Sequence, residues 1–325
     1  MKAIVCDKYG PPEVLQLKEV EKPVPKDNEA LVKIYAASLN AADMEILRGD
    51  FVVRIAGPFK PKHKIPGSDI AGRIEAVGRD VKEFKPGDEI WGDLSLYGYG
   101  TFAEYVCIPE EALRLKPAAI TFEEAAATPT AAVVALQNLL GKRPIQPGHK
   151  VLINGAGGGM GTFGVQLARY YGAEVTGVDS SEKLDMVRSL GADHVIDYEK
   201  EDFTRNGQRY DLIMDVVVSR SLFDYRRALS PGGVCAFVGG AAGRVALNSL
   251  GGLLISKTEG KKIGLTMWRP NKKEDLVLLE ELFTAGKVMP VIDKVYPLSE
   301  VPDAFRCLLD GRAQGKLVIT MENGD

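Results

Sequence analysis

Residues 151–161 read Val151-Leu152-Ile153-Asn154-Gly155-Ala156-Gly157-Gly158-Gly159-Met160-Gly161, an apolar run that passes directly into five glycines. The run has the length and composition of a buried strand, and the residues beyond it have the periodicity of a helix. A glycine turn in that setting lets the backbone approach a pyrophosphate, and the helix N-terminus offers free N–H groups and a positive dipole end. Gly158, Gly159, Met160 and Gly161 are therefore candidate phosphate contacts. A glycine-rich turn can also be purely structural, so the second half of the signal matters. The next strand ends at Asp179, 18 residues past Gly161, where a ribose-binding carboxylate is expected. A carboxylate there accepts from both ribose hydroxyls and repels a 2′-phosphate, so the reading leans to NADH within NAD(P)H. Ser180, Ser181 and Lys183 follow and would serve a 2′-phosphate if Asp179 instead capped the next helix.

The loop sits inside a repeating pattern. From residue 150 the chain alternates strand and helix: Lys150 to Asn154, Gly161 to Tyr171, Glu174 to Val178, Ser181 to Leu190, His194 to Ile196, and Leu212 to Val217. Apolar strands separated by helices predict a doubly wound parallel sheet covered on both faces. Before residue 122 the texture differs, with β-like segments such as Ala30 to Tyr35, Ile70 to Gly78 and Glu89 to Trp91 divided by turns. The last 55 residues predict a helix from Lys273 to Ala285, a strand around Val291-Ile292, a helix from Val301 to Leu309 and a strand from Lys316 to Thr320. The expected organisation is a β-rich domain made of residues 1–122 and 269–325, with an α/β domain of residues 123–268 inserted.

Composition narrows the partners. The net charge is −3, with 41 basic and 44 acidic residues, which offers no general attraction to nucleic acid or anionic membranes; a local basic patch would escape this test. Neither partner is expected. The start lacks signal-peptide features and no run of about 18 apolar residues occurs, so a soluble cytoplasmic protein is the expectation. Cys6, Cys107, Cys235 and Cys307 are scattered and read as reduced, packed thiols.

Ordered motifs then extend over the whole chain: Asn40-Ala41-Ala42-Asp43; Pro66-Gly67-Ser68-Asp69-Ile70-Ala71-Gly72 with Val77-Gly78 and Pro86-Gly87-Asp88; Gly100 to Tyr105; Ala156, Gly158 and Gly161; Gly191-Ala192-Asp193; and Gly315-Lys316. This set resembles the medium-chain dehydrogenase/reductase superfamily, and within it the zinc-independent quinone oxidoreductase-like branch. The resemblance implies a Rossmann-type domain inserted in a GroES-like catalytic domain, and reduction of quinones or α,β-unsaturated carbonyls. It implies cofactor contacts from the glycine loop, Asp179, Ser180, Lys183, Tyr198, Val238, Gly239, Gly240 and Lys316. Zinc-dependent members carry Cys and His where this chain has Asn40 and Ser68, both poor zinc ligands, so no metal is expected. Three positions depart from the family pattern. Val134 stands for a threonine near the nicotinamide, Val218 for a glycine, and Glu45 for a tyrosine near the substrate.

Without a Lewis acid, hydride transfer suits an electron-poor acceptor whose oxygen needs only hydrogen bonding. Asn40 is the candidate catalytic hydrogen-bonding group, with Tyr97 and Tyr99 as loop residues able to donate a proton. Two other readings stay open: a non-catalytic NAD(P)(H)-binding sensor or structural protein, and an alcohol dehydrogenase-like enzyme. Ile263 to Trp268, β-prone at the expected sheet end, predicts a homodimer.

Overall fold

The computed structural model describes residues 1–141 and 143–321, which divide into two units. One comprises residues 1–131, 270–284 and 290–325; the other comprises residues 132–269 and 285–289.

The second unit is built on six parallel strands. Their spatial order is His194–Asp197, Glu174–Asp179, Lys150–Asn154, Tyr210–Asp215, Leu229–Phe237 and Lys262–Leu265. This is the 3-2-1-4-5-6 order of a doubly wound dinucleotide-binding sheet. The central strands are apolar on both faces: Val151, Leu152, Ile153 and Ile213 are fully buried. Helices Gly159–Tyr170, Leu184–Ser189, Leu222–Ala228 and Ala242–Glu259 connect or flank them. Asn154 pairs with Val178 across the two middle strands, and the amides of Gly155 and Ala156 both donate to the Val178 carbonyl. That register sets the glycine loop beside Asp179.

The strand expected to reach Val217 ends at Asp215. The buried Asp215 carboxylate accepts from the Val217 amide (2.8 Å), the Val218 amide (2.7 Å), Asn154 Nδ2 (2.9 Å) and the Tyr225 hydroxyl (2.7 Å). These bonds turn the chain, and Val218 takes φ +49°, a left-handed conformation unusual for a β-branched side chain. The backbone thus keeps a glycine-like shape where the family glycine is missing. At the sheet edge, the segment expected as strand through Trp268 is strand only for Lys262–Leu265.

The first unit holds a seven-stranded sheet. Along its main path lie Ile292–Pro297, Lys316–Thr320, Glu29–Ser38, Asp69–Val77, Glu89–Asp93 and Leu113–Leu115, and Tyr105–Pro109 also pairs with Glu29–Ser38. All pairings are antiparallel except the first. A two-stranded ribbon, Lys2–Cys6 with Leu15–Glu19, completes it. Its core gathers Ile4, Val32, Ile34, Ile70, Ile90, Phe102, Phe305 and Ile319.

The division falls between Ala131 and Ala132, inside helix Pro129–Leu140, where the sequence suggested residue 122. Helix Phe122–Ala126 packs on strands Glu29–Ser38 and Asp69–Val77, which assigns it to the β-rich unit. Residues 285–289 join the other unit, where Gln166 clamps Met289 by two backbone bonds of 2.8 and 2.9 Å.

Candidate cofactor site and the buried polar network

In the parallel-sheet unit, the glycines of the loop have separable reasons to be there. A Cβ on Gly161 would lie 2.0 Å from the Gly155 carbonyl oxygen, and one on Gly155 would lie 2.3 Å from Val216 Cγ2. One on Gly157 would press on Lys183 at 2.8 Å. Those three are fixed by packing. Gly158 is different: a Cβ there meets only the Gly155 oxygen, at 3.5 Å. Gly158 caps helix Gly159–Tyr170, whose first amides have no intrahelical acceptors. Space beside Gly158 together with donors at Gly159, Met160 and Gly161 suits an oxyanion.

Asp179 ends the neighbouring strand and is 8% exposed. Its Oδ2 accepts from the Gly157 amide at 2.7 Å and its Oδ1 from the Ser180 amide at 2.9 Å. Lys183 Nζ lies 3.7 Å from Oδ1. The carboxylate therefore ties the glycine loop to the strand end, and a cation offsets its charge. Tyr198, half exposed, is placed there by its amide bond to the Asp179 carbonyl (3.2 Å), and burial raises its phenol above the usual range. Gly158, Gly159, Met160, Gly161, Asp179, Ser180, Lys183 and Tyr198 thus share one end of the sheet.

Val238 follows strand Leu229–Phe237, its amide donating to the Asp215 carbonyl at 2.9 Å. A Cβ on Gly239 would lie 2.6 Å from the Val216 oxygen, and one on Gly240, at φ +98°, 2.6 Å from the Val217 oxygen. The two glycines are demanded by contact with the turn after Asp215. Val134 is buried in its helix.

In the β-rich unit, Asn40 opens helix Ala41–Arg48, and its amide nitrogen donates to Asp43 Oδ2 at 2.8 Å. Its side chain is fully engaged. Oδ1 accepts from Lys316 Nζ at 2.6 Å, and Nδ2 donates to Asp69 Oδ2 (2.9 Å) and Ser68 Oγ (3.3 Å). Lys316 can only donate and a carboxylate only accepts, which fixes the orientation of the Asn40 amide. Lys316 is 3% exposed and also donates to the Leu39 carbonyl (2.9 Å) and Asp69 Oδ2 (3.3 Å). All three of its protons have acceptors within this unit, so its place is that of a brace between Asn40 and Asp69. Ser68 and Asn40, the positions of two zinc ligands in metal-dependent members, bond to each other here. Among the described residues, no group of three His, Cys, Asp or Glu is arranged to hold a metal ion.

The network extends to residues that sequence reasoning did not single out. Asp69 Oδ2 also accepts from Ser38 Oγ at 2.9 Å, and Oδ1 from the Thr130 amide (3.0 Å) and hydroxyl (2.7 Å). The Thr130 hydroxyl oxygen also lies 2.6 Å from Asp93 Oδ2. Burial and then Asp69 push the Asp93 carboxyl up to about 6; burial, above all, pushes Asp43 to about 7. The only sequence signal for Asp93 and Thr130 is a polar residue in an otherwise apolar stretch.

Tyr99 stands at φ +62° between Gly98 and Gly100, themselves at +110° and +109°. Burial, followed by the charges of Asp43 and Asp93, raises its phenol to about 12, so it remains a proton-bearing donor at neutral pH. Its ring lies 5.7 Å from that of His63, whose imidazole is lowered by burial and Lys62. Glu45 is exposed on its helix.

Comparison with known proteins agrees with both units. The family described as alcohol dehydrogenase GroES-like domain matches residues 26–118, and that described as zinc-binding dehydrogenase matches residues 190–319, a span without Asn40 or Ser68. The chain is 35% identical to a 2-methylene-furan-3-one reductase of Solanum lycopersicum, over 98% of its own length and 79% of the relative's. It is 34% identical, with the same coverage, to a chloroplastic NADPH-dependent alkenal/one oxidoreductase of Arabidopsis thaliana. The solved quinone oxidoreductase of Coxiella burnetii superposes with a TM-score of 0.89 at 29% identity, over 98% of this chain and 99% of that one.

Proposed function

The chain belongs to the medium-chain dehydrogenase/reductase superfamily, in its quinone oxidoreductase-like branch, and we propose that it is an NAD(P)H-dependent reductase of quinones or α,β-unsaturated carbonyls. The observation that carries the reading is the open space at Gly158, set against a helix N-terminus in a loop that Asp179 ties in place. The names of the relatives, a furanone reductase, an alkenal/one oxidoreductase and a quinone oxidoreductase, support the acceptor class.

Gly158, Gly159, Met160 and Gly161 would hold the pyrophosphate. Ser180, Lys183 and Tyr198 would face the adenosine end, and Val238, Gly239 and Gly240 would border the nicotinamide. NAD(P)H held there would supply the hydride for the electron-poor carbon or quinone oxygen. The acceptor's oxygen would then need a hydrogen-bond donor, the role for which the sequence offers Tyr97 and Tyr99. Asn40 acts through position: with its amide already bonded to Lys316, Asp69 and Ser68, it fixes the helix start beside them. Zinc has no place in this reading. The Asn40 oxygen already faces an ammonium ion, which would repel a divalent cation.

Cofactor choice follows the pair Asp179–Lys183. The carboxylate alone leans to NADH, as its position in the sequence suggests, and the ammonium 3.7 Å away weakens its repulsion of a 2′-phosphate. Both NADH and NADPH serve. The chain also pairs with a second copy across the edge strand Lys262–Leu265. Leu247, Leu250 and Leu254 on helix Ala242–Glu259 are 71, 67 and 69% exposed, and Met267 is 82% exposed, a surface that a partner would cover.

Stopped-flow oxidation of NADH and NADPH with a panel of small quinones and enones tests the activity, and it should persist after exhaustive chelation. Cofactor binding with no turnover of any acceptor would instead identify a sensor. Loss of activity on chelation, restored by zinc, would return the chain to the alcohol dehydrogenase-like enzymes.

A further inference from the structure

Helix Phe51–Ala56 and the loop after it leave Phe51, Ile55 and Phe59 exposed by 81, 73 and 90%. Burying such side chains is favourable, so three of them at the surface within nine residues call for an apolar neighbour. The same stretch is strongly cationic. Residues 48–64 contain Arg48, Arg54, Lys60, Lys62 and Lys64 against Asp50 alone, in a chain whose net charge is −3. All five cations are exposed. Lys64 lies 3.7 Å from Asp7, whereas Lys60 and Lys62 form no ion pair among the described residues.

The backbone beneath is held by side-chain contacts on both sides of the helix. Tyr9 donates its hydroxyl proton to the Gly57 carbonyl at 2.6 Å. Arg54 Nε donates to the Gly49 carbonyl at 2.6 Å, with the guanidinium 4.6 Å above the Tyr9 ring. Gly57 packs so closely that a Cβ would lie 2.4 Å from the Lys60 oxygen. Phe51 and Ile55 are one helical turn apart and share a face.

Exposed rings and an aliphatic side chain interspersed along the chain with exposed cations fit a medium that is apolar just beneath a plane of negative charge. We propose that this patch docks the protein peripherally on an anionic lipid bilayer, with Phe51, Ile55 and Phe59 entering the headgroup boundary and Arg48, Lys60 and Lys62 meeting lipid phosphates. A second copy is disfavoured at this patch, since self-pairing would oppose like charges. No described helix is long and apolar enough to cross a membrane, and none is needed. The overall charge, which argued against a membrane partner, averages the patch away.

The inference is independent of the reductase reading, because partition is measured without cofactor or acceptor. The full chain is sedimented with phosphatidylcholine vesicles and with vesicles also containing phosphatidylserine. Binding to the mixed vesicles is expected to exceed that to phosphatidylcholine alone and to weaken as salt is raised. Phe59→Ser should lower partition by roughly tenfold. Lys60→Glu with Lys62→Glu should lower it by at least about tenfold, given about fivefold for each cation near such a surface. These side chains are exposed, so thermal unfolding should not change. Equal partition to both vesicle types, or no partition, overturns the proposal. So does Phe59→Ser with unchanged partition and a raised KM for a dissolved quinone, which would make the patch a substrate collar. Patch variants that dissolve an oligomer without altering partition would assign it to a second copy.

Discussion

The Thr130 hydroxyl oxygen and the Asp93 carboxyl oxygen stand 2.6 Å apart, while the same hydroxyl lies 2.7 Å from Asp69. A hydroxyl has one proton and cannot donate to two carboxylates. Asp69 has Lys316 as its counter-charge, so at acidic pH the second proton belongs to Asp93, which then donates to Thr130 while Thr130 donates to Asp69. Burial, with Asp69 nearby, raises the Asp93 carboxyl to about 6, in keeping with this arrangement.

Asp93→Asn should therefore stabilise the protein at pH 8, by about 1–3 kcal/mol on the scale of 1.36 kcal/mol per pKa unit. The amide oxygen keeps the Ser95 amide (2.7 Å) and the amide nitrogen replaces the acid proton toward Thr130. The folded pKa is raised, so the wild-type contribution is full below the usual carboxylate value and is lost as pH rises through about 6. The advantage of Asp93→Asn should shrink from pH 8 toward pH 4. Urea midpoints across that range measure it, and a destabilised variant at pH 8 would refute the shared proton.

Lys316 is a brace, and removing it leaves Asp69 buried without its cation. Lys316→Met should cost about 3–5 kcal/mol, and Asp69→Asn in the same chain should recover a large part. Denaturant unfolding of the two single variants and the double variant gives the coupling. Additive effects would mean that the 3.3 Å contact contributes nothing.

Gly158 and Gly161 stand three residues apart and should respond oppositely. Gly158→Val meets open space in the folded chain, so thermal stability should be kept while NAD(P)H affinity falls by at least about a hundredfold, through loss of the pyrophosphate's room. Gly161→Ala, with its Cβ 2.0 Å from a carbonyl oxygen, should lose stability first. Cofactor titration by fluorescence beside a melting curve separates the two, and a folded Gly158→Val with native affinity would displace the site.

What the sequence made legible follows from the range of each interaction. Strand Lys150–Asn154 and the glycine turn obey local rules, and helix Val301–Leu309 and strand Lys316–Thr320 were readable from periodicity. The unit boundary was not, because the alanine-rich residues 122–140 carry no composition break at Ala131. The polar network was hidden for another reason: Asp69 meets Thr130 61 residues away and Lys316 247 residues away. Lys316 drew notice through a Gly-Lys match, yet its three acceptors could be found only in three dimensions. Asp179 was legible as a strand-end carboxylate, but its hold on the Gly157 amide depends on register.

The exposed leucines beside the edge strand make self-association the expected outcome. Light scattering at micromolar concentration should report a dimer. Leu250→Glu with Leu254→Glu should yield monomers that keep their secondary structure, since neither side chain is buried in the chain itself. A wild-type monomer would remove the pairing from the functional reading.

Cofactor preference turns on how far Lys183 cancels Asp179. Two unit charges about 4 Å apart at an effective dielectric of about 20 interact by roughly 4 kcal/mol, and solvent reduces a real difference to about a third of that, about tenfold in affinity. Asp179 is tied to the Gly157 and Ser180 amides, with the Lys183 ammonium 3.7 Å away. Repulsion of a 2′-phosphate is thereby largely offset, and the wild-type kcat/KM values for NADH and NADPH should lie within about tenfold of each other. Lys183→Ala leaves the carboxylate uncompensated and should shift the ratio toward NADH by about tenfold. Asp179→Asn keeps an acceptor for the Gly157 amide while removing the charge, and should shift the ratio toward NADPH by a similar factor. Opposite shifts from the two variants are the signature of a balanced pair. If Lys183→Ala left the ratio unchanged while Asp179→Asn only weakened both cofactors equally, the carboxylate would serve the loop alone and the preference would have to be set elsewhere.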